Sequence, residues 1–120
     1  MRTSLVDAWL EHYAAGSISR DQGAGAWKEV DELLRRDPEA GWTFTLELIG
    51  AASNDKLLAN VAAGPLEDLL NRDPDRFIER VELECRRDPK FRRCLTGVWG
   101  LPKSIRERVE KYTATVIDPL

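Results

Sequence analysis

Apolar positions recur at helical spacing along most of the chain. Val6, Trp9, Leu10 and Tyr13 form one stripe, opened by Thr3 or Ser4 and closed near Gly16. Trp27, Val30, Leu33 and Leu34 form a second, after a loose Gly23-Ala24-Gly25 connection. Leu57, Leu58, Val61 and Ala62 form a third; Gly64 is expected to end it, and Pro65 to start a short helix carrying Leu66, Leu69 and Leu70. The pattern repeats in Phe77, Ile78, Val81 and Cys85, and again in Phe91, Cys94, Leu95 and Val98. A capping box at Ser104-Ile105-Arg106-Glu107 predicts the start of a last helix with Ile105, Val109, Tyr112 and Val116 inward.

Three Asp-Pro pairs, Asp37-Pro38, Asp73-Pro74 and Asp88-Pro89, punctuate these stripes. A carboxylate at the N-cap accepts bonds from the unpaired amides of the first turn, and proline suits the first helical position. Arginines precede each pair (Arg35-Arg36, Arg72, Arg86-Arg87), at the negative end of the preceding helix dipole. Each pair therefore reads as a joint where one helix ends and another begins, with the Asp as N-cap.

Trp42-Thr43-Phe44-Thr45-Leu46-Glu47-Leu48 breaks the pattern, because its alternation of apolar and polar residues is that of a half-buried strand. Asp37-Pro38 opens a helix just upstream, Trp42, Leu46 and Ile49 keep helical spacing, and no second segment offers itself as a partner strand. A helix is the expectation, apolar on most sides and hence the most buried one. The fold class expected is all-α: one domain over residues 1–120, a compact bundle or short α-solenoid of seven or eight short antiparallel helices. The uneven spacing of the Asp-Pro joints gives no demonstrated repeat.

Composition narrows the class. Hydrophobic residues make up 42% and charged residues 32% of the 120, an ordinary globular balance that excludes disordered and low-complexity chains. No apolar run is long enough to span a membrane, and Asp7 interrupts any secretory leader, so a cytoplasmic location is expected. Two cysteines, Cys85 and Cys94, are then expected to be reduced and structural. With His12 as the one histidine, zinc lacks a donor set and no cofactor is implied. The chain carries no Walker loop, dinucleotide fingerprint or nucleophile elbow, so no catalytic residue is assigned and an enzyme is not expected.

The net charge of −3 is uneven: residues 1–85 hold 9 basic and 17 acidic side chains, and residues 86–120 hold 9 basic and 4 acidic. The acidic part suggests a surface for a basic partner, and the basic part a surface for phosphates. In the basic part, Arg106 with Glu110 and Glu107 with Lys111 have the spacing of helical ion pairs.

Three motifs stand out: Gly64-Pro65-Leu66-Glu67-Asp68-Leu69-Leu70, Phe77-Ile78-Glu79-Arg80-Val81-Glu82, and Asp88-Pro89-Lys90-Phe91-Arg92-Arg93-Cys94-Leu95-Thr96-Gly97-Val98-Trp99. Together they resemble a small uncharacterised family of bacterial helical domains with a GPLEDLL core and a DPxFRxxLxGVW ending, over roughly residues 28 to 100. The resemblance implies a helical fold and a bacterial or phage source, and it implies no activity.

The function expected is a non-catalytic protein-binding module, in its sharper form a bacterial immunity protein or adaptor, docking a basic partner such as a toxin or effector through an acidic helical face. The residues assigned to that face are Glu67, Asp68, Asp75, Glu79 and Glu82, with Trp99 as an aromatic anchor. The alternative is a nucleic-acid-associated regulator using Arg86, Arg87, Lys90, Arg92, Arg93, Lys103, Arg106 and Arg108.

Overall fold

A computed structural model describes the backbone of residues 4–14 and 20–120, and the side chains of residues 5–13 and 28–120. Its helices are α1 (Ser4–Ala14), α2 (Arg20–Arg36), α3 (Pro38–Ala51), α4 (Asp55–Val61), α5 (Glu67–Arg72), α6 (Pro74–Arg87), α7 (Pro89–Leu95) and α8 (Lys103–Thr113). A π-helical turn, Ala62–Leu66, joins α4 to α5 without a break. Counted as one continuous helix, that run leaves seven, and no strand occurs among the described residues.

Two of the three Asp-Pro joints cap as their sequence predicts. Asp37 accepts from the Ala40 N–H at 3.1 Å and Asp88 from the Lys90 N–H at 2.9 Å. Asp73 also sits at the N-cap, but its carboxylate takes the Arg76 guanidinium at 2.9 Å and makes no bond to a first-turn amide. An arginine three residues along the helix competes for the same oxygens with a charged donor.

Trp42 to Leu48 is helical, and α3 is the middle of the molecule. It buries Gly41, Trp42, Phe44, Thr45, Leu48 and Ile49, and it packs on α1, α2, α4, α5 and α7. A stack of hairpins touching only nearest neighbours would not place one helix against five others. Two local features admit the strand-like sequence. The buried Thr45 hydroxyl donates to the Gly41 carbonyl at 2.8 Å, which satisfies it within the helix. Gly41 lets α2 come close: a Cβ there would lie 2.8 Å from Leu34 Cδ2 and 3.3 Å from its Cα. Trp42 stacks on Phe77, ring centroids 5.3 Å apart, and meets Phe91 edge-on at 6.0 Å, so one aromatic cluster joins α3, α6 and α7. Lys90 then closes the far end of α3, donating to the carbonyls of Gly50 at 3.0 Å and Ala52 at 2.8 Å.

Three expected helix boundaries differ. The Gly23-Ala24-Gly25 stretch lies within α2, which begins at Arg20; the side chain of Trp27 lies outside the described residues. Gly64 does not end a helix and Pro65 does not start one. Pro65 has no N–H and would clash with the carbonyl four residues back, and the wider π turn accommodates it, with the Glu67 N–H reaching the Ala62 carbonyl five residues earlier. The Ser104 capping box is absent as well: the N-cap lies two residues earlier, at Pro102, whose carbonyl bonds the Arg106 N–H at 2.9 Å, and α8 begins at Lys103.

Candidate functional site

The π turn sets up the most distinctive local structure. Glu67 is the first residue beyond it, and its Oε1 accepts from the backbone N–H groups of Trp99 at 3.0 Å and Gly100 at 2.9 Å. One turn on, Asn71 Nδ2 donates to the Gly100 carbonyl at 2.8 Å and to the Glu67 carbonyl at 2.8 Å. Two side chains of α5 thus hold both faces of the peptide groups around Gly100. A charge-assisted bond to two adjacent amides fixes the direction of a turn more firmly than a neutral contact would.

The base of that turn is fixed by packing. At Gly97 a Cβ would lie 3.0 Å from Ala62 Cβ, 3.1 Å from Leu120 Cδ1 and 3.3 Å from the Cys94 carbonyl, so a side chain there would meet tight contacts that its neighbours must yield to accommodate. Val98 is buried, Leu101 is half-buried, and between them Trp99 is 93% exposed. Specific contacts therefore fix the main chain of the turn while its indole stands in solvent. Beside it lies a groove of about 310 Å³ whose lining includes Leu95, Val98, Trp99, Leu101, Arg106 and Ala114.

The five acidic positions are not one exposed face. Glu67 is turned toward the Trp99 turn, and Asp68 pairs with Arg72 at 3.0 Å. Asp75 and Glu79 are exposed on α6, with no hydrogen bond or ion pair to another described side chain. Glu82, expected to be solvated beside them, is only 8% exposed and is clamped between Arg86 at 3.2 Å and Arg108 of α8 at 3.3 Å. The packing of α8 on α6 covers it, and nothing local to α6 announces that contact.

The basic C-terminal part is largely occupied within the fold. Arg86 bonds the Tyr112 hydroxyl as well as Glu82, Arg87 pairs with Glu84, and Lys90 caps α3. Arg93 makes a forked pair with Asp55 and also donates to the Asp118 carbonyl at 2.7 Å. Its guanidinium holds the Asp55 carboxyl below the usual range through their hydrogen bond. Lys103 lies 3.8 Å from Glu107, in place of the Glu107–Lys111 and Arg106–Glu110 pairs that the spacing predicts. Of the eight cations, Lys90, Arg92 and Arg106 have no acidic partner among the described residues, and Lys90 is engaged by carbonyls.

The nucleophile candidates are quiet. Cys85 and Cys94 are fully buried and unlinked, and burial pushes each thiol up to about 12. Cys94 Sγ lies 3.6 Å from the Leu58 carbonyl. His12 is half-buried with its ring edge-on to Tyr13 at 4.8 Å. Among the described residues, no three His, Cys, Asp or Glu side chains gather as a metal site, and no helix is long and apolar enough to cross a membrane.

A family model described as a family of unknown function, DUF6869, matches residues 9–117. The chain belongs to that family. The match reaches beyond the 28 to 100 stretch of the sequence resemblance, taking in α1 from Trp9 and all of α8. Glu67, Asn71 and the Trp99 turn all fall inside it. No curated protein and no solved structure matches the chain.

Sequence reasoning singled out Trp99 and Glu67 but set them apart, one as an anchor and the other as a surface acid. Asn71, the second support of the turn, was missed. Asn71 lies one residue beyond the GPLEDLL stretch, and nothing in the sequence pattern marks it as a partner of the Trp99 turn.

Proposed function

We propose that this member of DUF6869 is a non-catalytic protein-binding module whose anchor is Trp99. The observation that carries the reading is an indole 93% exposed on a turn fixed from below by Glu67 and Asn71. Tryptophan dominates the energetics of protein interfaces when a partner covers it, and a turn already ordered in the free protein loses less entropy on binding. Asp75 and Glu79 supply the remaining open acidic surface, suited to steering a basic partner such as a toxin or effector. An immunity protein or adaptor is the sharper form of this reading, and two unlinked thiols suit a cytoplasmic setting. The nucleic-acid alternative has less support, because most of the cations it needs are bonded within the fold.

The test is a photo-cross-linking amino acid placed at Trp99 of the full chain in its source cells, with the same group at the exposed Leu83 on α6 as control. A discrete protein adduct from position 99 that position 83 does not give is expected. Equal or absent labelling from the two positions overturns the assignment.

A further inference from the structure

Large apolar side chains left in solvent are few among the described residues: Leu83, Trp99 and Ile117. Two of them lie at one end of the molecule. Ile117, 99% exposed, is three residues beyond Ala114, which lines the groove beside Trp99. It is also three residues before Leu120, whose N–H bonds the hydroxyl of Thr96, another groove residue, at 3.0 Å. Tethered on both sides, Ile117 stays within about 10 Å of the groove wall.

The charges at this end are of both signs. Arg106 lines the groove, is exposed, and has no acidic partner among the described residues. Asp118 follows Ile117 directly, its side chain is 85% exposed, and its carboxylate has a single weak contact, with Arg93 at 3.4 Å. Arg93 is already engaged by Asp55 and by the Asp118 carbonyl, so the Asp118 carboxylate is only lightly held. One surface therefore carries an apolar groove, an apolar tip, a free cation and a nearly free anion. A two-fold interface requires such a patch, since each copy must present both halves of every contact.

Resting on the reading of Trp99 as an interface anchor, we propose that the partner at this end is a second copy of the chain. The Ile117–Asp118 tip of each copy enters the groove beside Trp99 of the other, and Arg106 of each copy faces Asp118 of its partner. The groove, at about 310 Å³, is of a size to take one or two apolar side chains, at the small end of natural binding pockets of about 300 to 1,000 Å³.

Sedimentation equilibrium of the full chain from about 10 µM to about 1 mM tests this over the range in which modest interfaces associate. A rise in mass toward the dimer is expected. Arg106→Asp and Asp118→Arg should each weaken dimerisation by about tenfold or more, because like charges then face one another across the axis. An equimolar mixture of the two variants restores both pairs and should return the wild-type constant, which a merely structural role for either residue would not produce. Trp99→Ala should weaken it by about 30-fold or more. A chain that stays monomeric throughout overturns the second-copy assignment alone, leaving the Trp99 reading to the cross-linking test. A dimer indifferent to both charge reversals overturns the placement of the tip. A dimer indifferent to Trp99→Ala overturns the anchor reading together with this one.

Discussion

Trp42 and Trp99 put the same side chain to opposite uses. Trp42 is 7% exposed, stacked on Phe77 and set against Phe91, so its surface is spent on joining three helices. Trp99 touches solvent over nearly its whole area, while its backbone N–H, not its ring, is what the fold grips. At the first site the packing determines the side chain. At the second, hydrogen bonds determine the main chain and leave the ring available. This contrast, a main chain fixed by hydrogen bonds beneath a ring left in solvent, is the basis of the proposed functional reading.

The contrast breaks most directly at Trp42. Trp42→Ala should lower stability by about 3 to 5 kcal/mol, through lost burial and the cavity left between Phe77 and Phe91. Urea unfolding monitored by far-UV circular dichroism measures it. A loss below about 1 kcal/mol would mean that α3 is not the centre of the core.

The same core predicts an alkaline weakness. Thiols ionise at about 8.5 in an unfolded chain, whereas burial pushes Cys85 and Cys94 up to about 12 in the native one. The unfolded state therefore releases protons that the native state keeps. The stabilising difference is complete below about pH 8.5 and is lost progressively as pH rises toward about 12. Burial raises Tyr13 in the same direction, from a higher starting point, so a comparison of pH 7 with pH 9.5 isolates the thiols. The urea midpoint should fall between those two values, and Cys94→Ala should flatten the fall. An unchanged midpoint in the wild type would show that the thiols are accessible.

At the Trp99 turn the first residue to break is Glu67. Glu67→Ala leaves the Trp99 and Gly100 amides without their acceptor and should cost about 1 to 3 kcal/mol. Glu67→Gln keeps an acceptor oxygen without the charge and should cost less. Both variants should weaken binding through Trp99 by more than their effect on stability explains, because the anchor is no longer held in one direction. Binding measured on the folded fraction separates the two effects, and unchanged affinity in Glu67→Ala would show that the turn is ordered without it.

The joints give a smaller contrast within one motif. Asp88→Ala removes a bond to a first-turn amide and should cost about 1 kcal/mol. Asp73→Ala removes an exposed pair with Arg76 and should cost under about 0.5 kcal/mol. Equal losses in parallel urea titrations would show that Asp73 caps α6 in solution after all.

What the sequence made legible follows the range of the interaction. The Asp-Pro pairs as helix boundaries and the helix hidden in Trp42 to Leu48 depend on neighbours within about a turn, and the structure has both. Three errors are competitions between local signals: Pro65 against a continuing helix, Pro102 against the Ser104 box, Arg76 against an amide for Asp73; a fourth is the Gly23-Ala24-Gly25 stretch, expected as a connection and found within α2. The candidate site was legible only as separate parts. Glu67 meets residues 32 and 33 positions away, and the arginine that covers Glu82 comes from a different helix. Periodicity places a residue on a face, but it does not say which later segment will lie across that face.

Trp99→Ala should have the smallest effect on stability and the most informative one. The ring makes so little contact with the fold that its removal should change the unfolding free energy by no more than about 0.5 kcal/mol, the usual limit for an exposed position. The backbone bonds to Glu67 survive, because alanine retains the N–H that makes them. The same substitution at a true anchor costs a partner about 2 kcal/mol or more of binding energy. A near-silent change in the urea midpoint together with a large loss of affinity is therefore the signature expected. If Trp99→Ala instead destabilises the chain by 2 kcal/mol or more, roughly the scale of a buried side chain, the indole packs on the protein in solution, and the two tryptophans belong to one core.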